Sequence, residues 1–358
     1  MLQTALAGAA VARHDVEVVF MEPGPWADEL AGRGFHVETL SAGRLREPLR
    51  FARTVLGLRE IMRRRRPDLI LDWMPKTHLY GAPAAVLAGM RDRLVWWQHG
   101  IPQGEWIDRL VTLLPARAVG CSSPASAREQ ARLWPPRRTI VVAPGSPPPQ
   151  PHANGSPAAA PASPVRTIPT VGLVGRLQPL KGQHRLLEAQ ALLRERGLPI
   201  HTVLVGGDAH ELSPDYAQSL PALVERLHLG GEVTMTGQVD DAGPYIERMD
   251  ILVSASDPPE AFGIVLLEAM ARGVAVVAVD AGAPGELIED GRTGVLAGSA
   301  EPQALAEALE RLLRAPQLRA SVALEGRRRY MEEFTDAAMC KRFYEQLESV
   351  ASEGSARA

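Results

Sequence analysis

Glu260 and Glu268 stand with seven residues between them in "DPPEAFGIVLLEAMARGVAVVAVD" (residues 257–280), the second inside an otherwise apolar run. Pro258 and Pro259 forbid helix ahead of them, so Glu260 reads as a loop residue at the carboxyl end of the strand "ILVSAS". A helix begins near Phe262 or Gly263. Its first amides are unpaired donors at the positive end of the helix dipole, which suits an anion. Gly263 lets a ligand come close to the backbone there. Glu268 falls on the second turn among Leu266, Leu267, Ala269 and Met270. An unpaired buried carboxylate is costly, so Glu268 faces either solvent, as a charge on an amphipathic helix, or a ligand.

A second constellation lies about eighty residues earlier, in "VGLVGRLQPLKG". It reads as a strand, a turn carrying Gly175, Arg176 and Leu177, and then Lys181-Gly182 opening a helix. An arginine fork and a lysine point charge both suit a diphosphate. The turn lacks the G-K-[ST] ending of a Walker loop and the G-x-G-x-x-G of a dinucleotide fingerprint. Taken alone, it is either a phosphate site or a surface turn with two solvated cations. No D-x-D lies near it, so no metal is expected.

The elements that must position these residues alternate along the chain. "VEVVFME" reads as a buried strand, "FHVETL" as a second, and "DLILDW", "RLVWWQ", "RAVGC" and "RTIVVAP" as four more, with helical stretches between them. "APGSPPPQPHANGSPAAAPASPVRTIP" (143–169) holds nine prolines in 27 residues. It buries too little to offset its ordering entropy and reads as a mobile linker. Alternation resumes with "TVGLVG" and "HTVLVGG". Strand–helix alternation of this kind means a parallel, doubly wound sheet. The expected division is a first domain at 1–142, the linker at 143–169, a second domain at 170–333, and a C-terminal helix at 334–358 crossing back to the first. The 358 residues, 46% hydrophobic, exceed what one core needs.

Charge is uneven. Residues 1–142 carry 20 Lys and Arg against 14 Asp and Glu, while the remainder carries 19 against 28. A basic first half suits a phosphate ligand or lipid head groups; solvated arginines are the plainer alternative. "LREPLRFARTVLGLREIMRRRR" mixes apolar residues with arginine and would suit anionic lipid, or pack as an ordinary helix. Two distant cysteines, Cys121 and Cys340, give neither a metal spacing nor a disulfide framework, so a cytoplasmic setting is expected. No apolar run reaches the ~18–20 residues of a spanning helix.

"GRLQPLKG" followed by "PPEAFGIVLLEAMARGVAVVAVDAGAPGELIEDGRTGVL" closely resembles the retaining glycosyltransferases of the glycogen-synthase-like class, glycosyltransferase family four. The resemblance is firm over about 170–300 and looser over 4–142. It implies the α/β GT-B fold, two Rossmann-like doubly wound domains facing across a cleft. It implies a donor that is a UDP-, GDP- or ADP-sugar, no cofactor, no nucleic acid, and a glycan or lipid-linked acceptor. By the same resemblance Arg176 and Lys181 hold the diphosphate, Glu260 contacts the transferred sugar, and Glu268 binds the ribose. Gly175 and the backbone at Ala261, Phe262, Gly263 and Ile264 complete the donor site. His99 in "WWQHGIP" matches a family histidine near the sugar. Lys76 and His78 in "DWMPKTHLYG" match its acceptor-side loop, and Glu286 matches a recurrent glutamate.

The chain departs from the pattern at its start. The family opens with a strand and a glycine-rich loop, whereas "MLQTALAGAAVAR" reads as the helix that follows them. That strand is central in the sheet, and without it two strand edges stay unpaired. The expectation is that the natural start lies upstream of Met1, or that this protein fills the gap in an unusual way. A nucleotide-sugar-binding protein without turnover is the alternative function, and a nucleotide-sugar epimerase fits the two motifs poorly.

Overall fold

The computed structural model describes residues 1–43, 46–149, 168–208 and 213–355. Most of the proline-rich stretch read as a linker lies outside the described residues. The chain forms two compact units, one of residues 1–143 with 337–358, the other of 144–336.

The first unit alternates helix and strand: α1 (Leu2–Gly8), β1 (Glu17–Phe20), α2 (Pro25–Gly32), β2 (His36–Thr39), α3 (Pro48–Arg65) and β3 (Ile70–Asp72). It continues with α4 (Pro75–Ala88), β4 (Leu94–Gln98), α5 (Trp106–Leu113), β5 (Ala118–Cys121), α6 (Pro124–Ala131) and β6 (Thr139–Val141). All its strand pairs are parallel. The pleat of β4 divides the core. Leu94 and Trp96 face Val55, Leu58 and Tyr80 of α3 and α4, while Val95 and Trp97 face Ala5 and Ala9 and, from the last helix, Met339 and Phe343. That last helix binds α1 through Tyr344, whose Oη donates to the Ala5 carbonyl at 2.7 Å. Both cysteines are free, and burial pushes the Cys121 thiol up to about 12.

This unit's strands do not form one sheet. β1 and β2 pair only with each other, and β3-β4-β5-β6 form a separate sheet. A cavity of about 2430 Å³ lies along both β1 and β3 and is lined as well by Leu2 and Leu6 of α1 and by Leu58, Ile61 and Met62 of α3. The sequence of β1 predicts a buried strand; the structure leaves every residue of it only half-buried, whereas all five of β4 are buried. The reason is the open cavity beside β1.

The second unit carries β7 (Thr170–Val174), α7 (Gln183–Glu195), β8 (His201–Val205), α8 (Pro214–Arg226), β9 (Val233–Met235), α9 (Gly243–Ile246) and β10 (Ile251–Ser254). It ends with α10 (Ile264–Ala271), β11 (Ala275–Val279), α11 (Pro284–Leu287), β12 (Val295–Ala297), α12 (Pro302–Arg314) and α13 (Pro316–Glu333); α14 (Asp336–Ser355) is the helix that joins the first unit. Its six parallel strands run in the order β9-β8-β7-β10-β11-β12. The order reverses between β7 and β10, and at such a switch point a crevice opens beyond the carboxyl ends of the strands. Central strands such as β11, "AVVAV", are buried at every residue, as a sheet covered on both faces requires.

Gly120 on β5 lies against the Trp97 ring, and a Cβ there would come within 2.2 Å of it. Gly120→Ala therefore displaces an indole that is fully buried. Urea denaturation should show a loss of about 1–3 kcal/mol, the usual range for overpacking a core.

Candidate functional site

Both sequence constellations lie at the switch point of the second unit. Gly175 directly follows β7, and Ser256 to Glu260 follow β10. Two contacts hold the loops together. Gly182 caps α7 at a φ of +74°, and a Cβ on it would lie 2.3 Å from the Ala255 carbonyl oxygen, so only glycine fits. The Asp257 amide donates to the Leu180 carbonyl at 2.9 Å.

These contacts bring Lys181 onto Glu260. Lys181 Nζ donates to both carboxylate oxygens, at 3.1 and 2.9 Å. Ser256 Oγ donates to Oε2 at 2.6 Å. The Glu260 carbonyl accepts from the Ala283 amide at 3.0 Å, which ties the loop to the start of α11, where Glu286 sits in the first turn. Arg176 is exposed and forms no ion pair among the described residues. The Phe262 side chain is buried, 6.2 Å from Phe334 between ring centroids, so only its backbone remains for a ligand. Gly263 caps α10 at a φ of +86°, and neither a capping side chain nor a first-turn acid neutralises that end of the helix. An anion there meets an unopposed positive dipole end.

Glu268 occupies the second turn of α10 and is half-buried. Its carboxylate accepts no hydrogen bond among the described residues. Burial pushes its carboxyl above the usual glutamate range; Arg272 opposes this and Asp241 adds to it. A carboxylate held this way is a ready acceptor for hydroxyl donors.

Three contributors escape sequence reasoning. Ser256 is one, and its only signal is its place two residues past β10. Gln183 and Tyr216 are the others. Gln183 Nε2 donates to the Arg176 carbonyl at 2.8 Å, and Tyr216 Oη donates to Gln183 Oε1 at 3.0 Å. They fix the backbone of the cationic turn from beneath, across 33 residues of sequence that show no pattern.

The first unit carries the remaining expected residues. His99 follows β4, and its Nε2 donates to the Trp73 carbonyl. Burial pushes the imidazole down, and that hydrogen bond offsets this only in part, so the ring is neutral at neutral pH with Nδ1 left as an acceptor. Lys76 is exposed on α4 and pairs with Glu22 at 3.0 Å. His78 lies inside α4, fully buried and stacked on Trp96, with Nδ1 2.8 Å from Asp72 Oδ2 and its Nε2 without a partner among the described residues. Burial raises the Asp72 carboxyl, with His78 opposing. Glu17, His36 and Glu38 converge closely enough to hold an ion. Arg65 and Arg64 already pair with those two carboxylates.

Residues 163–329 match the family described as Glycosyl transferases group 1, and residues 3–149 match Glycosyltransferase Family 4. The chain belongs to this family. It is a glycosyltransferase of the retaining class with the GT-B fold, taking its sugar from a nucleotide-sugar donor. The chain is 26% identical over 349 residues to the lipopolysaccharide core biosynthesis glycosyltransferase LpsE of Rhizobium meliloti, spanning 95% of this chain and 93% of that protein. It is 34% identical over 192 residues to the D-inositol 3-phosphate glycosyltransferase of Corynebacterium urealyticum, but spans only 45% of that protein's length. Among solved structures, Anabaena Alr3699/HepE in complex with UDP-glucose superposes with a TM-score of 0.78 at 26% identity, over 97% of this chain and 94% of the other.

Folding raises the Glu268 pKa, so the native glycosyltransferase holds this proton more tightly than the unfolded chain does. Stability therefore falls as pH rises from the ordinary glutamate range through the folded value. Glu268→Gln should melt no lower than the parent at neutral pH without ligand. The same variant should lose affinity for nucleotide by about tenfold or more, as expected for a lost hydrogen bond to a charged group. Calorimetric melting and titration with nucleotide read the two effects separately.

Proposed function

We propose that the switch-point crevice of the second unit holds a UDP-sugar, with Arg176 and Lys181 on its diphosphate, Glu260 on the sugar and Glu268 on the ribose. The observation that carries this reading is the contact of Lys181 with Glu260 beside the uncapped, positive end of α10. A cation for phosphate and a carboxylate for sugar hydroxyls stand side by side, where a nucleotide-sugar joins the same two groups. UDP-glucose in the crystal of the Anabaena protein supports uridine as the base.

In the ligand-free state Lys181 and Glu260 neutralise each other. A bound donor would replace that pairing, drawing the ammonium to the phosphate and freeing the carboxylate for sugar hydroxyls. Charge builds on the diphosphate as the glycosidic bond breaks. Arg176, Lys181 and the amides at Phe262 and Gly263 would stabilise it, since preorganised donors aimed at developing charge lower the barrier most. The acceptor hydroxyl, of a glycan or a lipid-linked sugar, would be received by the first unit, where His99 offers its bare Nδ1 as an acceptor. Lys76 would lie on that side, while His78 would support it from the core through Asp72. The same reading takes residues 1–142 as the acceptor side, 143–169 as the link, 170–333 as the donor side, and 334–358 as the helix that returns. The protein works in the cytoplasm, at the inner face of a membrane where the acceptor is lipid-linked. No described helix is long and apolar enough to cross one.

In the first unit β1 and β3 both border the cavity, and no described strand pairs with either across it.

For the site itself, transfer from radiolabelled UDP-sugars is the direct assay. Glu260→Gln should lower kcat by about 100-fold or more while leaving nucleotide affinity within a few-fold, in the range seen when one transition-state contact is lost. Lys181→Met should weaken UDP binding by about tenfold or more, the loss expected for a charge-assisted phosphate contact. Unchanged UDP affinity in Lys181→Met would sink the assignment.

A further inference from the structure

We propose that the cavity beyond the carboxyl ends of β1 and β2 receives an anionic group of the acceptor, a phosphate or a carboxylate carried on its sugar. The inference rests on reading the first unit as the acceptor side, and it names the class of acceptor that side takes. The cavity measures about 880 Å³, within the ~300–1000 Å³ of small-molecule sites. Glu22 borders it from the segment after β1, Ser41 and Gly43 from the segment after β2, and Lys76 from the first turn of α4. Ligands of open parallel sheets sit beyond strand ends of this kind.

The start of α3 supplies the remaining wall. Glu47, Arg50, Arg53 and Thr54 recur at spacings of three and four, so they share one face. Neither α3 nor α4 carries an acid in its first turn, and each presents a positive dipole end. Three cations thus stand against two carboxylates, and both carboxylates are already matched. Lys76 Nζ donates to Glu22 Oε1 and Arg50 Nη1 to Glu47 Oε2, each at 3.0 Å. Arg53 is exposed and forms no ion pair among the described residues. Gly43 has a φ of +64°, and a Cβ on it would lie 2.9 Å from both Glu47 Oε2 and Arg50 Cδ. A side chain there would displace the Arg50–Glu47 pair from the wall.

Behind the wall stands a donor with nothing to bond. Tyr80 lies one turn beyond Lys76 on α4, fully buried, and its Oη has no partner among the described residues. Burial raises the pKa of this hydroxyl, Lys76 opposes the rise, and Glu22 and Glu47 add to it, so the group stands in the field of three cavity residues. Exposed ion pairs hold weakly, and an arriving anion can take Lys76 or Arg50 while the carboxylate turns to solvent. A neutral sugar would leave Arg53 and both helix ends without a counter-charge. A phosphate or carboxylate supplies one, and an arginine fork matches the geometry of either.

The test uses the full chain saturated with UDP, which keeps added anions off Arg176 and Lys181. At constant ionic strength it is titrated with glucose 6-phosphate, glucuronate and glucose. Calorimetry and the thermal midpoint report binding, since a ligand of the native state raises the midpoint. At least one anionic sugar should bind and glucose should not; the two anionic arms tell phosphate from carboxylate. Arg53→Gln and Lys76→Gln should each weaken that binding by about tenfold or more, the loss expected for a charge-assisted contact, while UDP affinity stays within a few-fold. Both side chains are exposed, and matched melting curves of the ligand-free variants confirm that they fold. Without UDP, label from UDP-glucose should pass to the anionic sugar that binds about tenfold or more faster than to glucose. No preference over glucose in binding or in transfer, or unaltered binding in both variants, overturns the proposal. Failure of UDP to bind the parent would instead sink the donor site; the anion titrations, repeated without UDP on Lys181→Met, would still decide the cavity.

Discussion

The approach of α7 to the end of β10 is the contact on which the Lys181–Glu260 pair depends. Gly182 rests against the Ala255 carbonyl with no room for a Cβ, and that closeness sets the Lys181 ammonium 2.9 Å from the Glu260 carboxylate. Neither loop achieves this alone. The cationic turn belongs to β7 and the acidic loop to β10, and they become neighbours only because the strand order reverses between those two strands. A residue larger than glycine at position 182 would part the loops and leave each charge to solvent.

The supporting contacts are of the same kind. Gln183 and Tyr216 hold the Arg176 carbonyl, Ser256 orients Glu260, and the Ala283 amide takes the Glu260 carbonyl. Each binds backbone or a charged group that would otherwise move when a diphosphate arrives. The site is thus prepared by polar contacts within loops, while the sheet beneath, buried on both faces, supplies the rigid platform. Glu268 is the exception. Its carboxylate accepts no hydrogen bond among the described residues, and burial disfavours its charge, with Arg272 opposing.

Much of this was legible in residues, and the parts that were not share a cause. Strand–helix alternation indicated parallel sheets because runs such as "AVVAV" admit no exposed face. The glutamate loop and the cationic turn were legible because proline, glycine and charge punctuate local chain geometry. Gln183 and Tyr216 were not, because their hydrogen bond joins α7 to α8 and nothing local marks either residue. His78 read as a loop-side candidate from its neighbours in "DWMPKTHLYG". Yet Gly81 sits one turn on with no side chain, and the Asp72 carboxylate fills the space its Cβ would take. That vacancy lets Asp72 reach inward and draw the imidazole into the core.

The two units show what a central strand does. In the second unit β7 has a neighbour on each side, and the sheet is continuous from β9 to β12. In the first, β1 has the same apolar character, "EVVF", but a neighbour on one side only, and each of its residues stays half-buried. Sequence character alone therefore does not bury a strand; the ladder on both sides does. The consequence falls unevenly on function. The Lys181–Glu260 pair rises from the complete sheet, and its contacts lie within the second unit. His99 also follows a fully buried strand, β4, inside the intact four-stranded sheet. Only the elements that follow β1 and β2, Glu22 among them, hang on the unpaired pair. Lys76 pairs with Glu22, while His99 and His78 bond Trp73 and Asp72 at the β3 side of the same cavity.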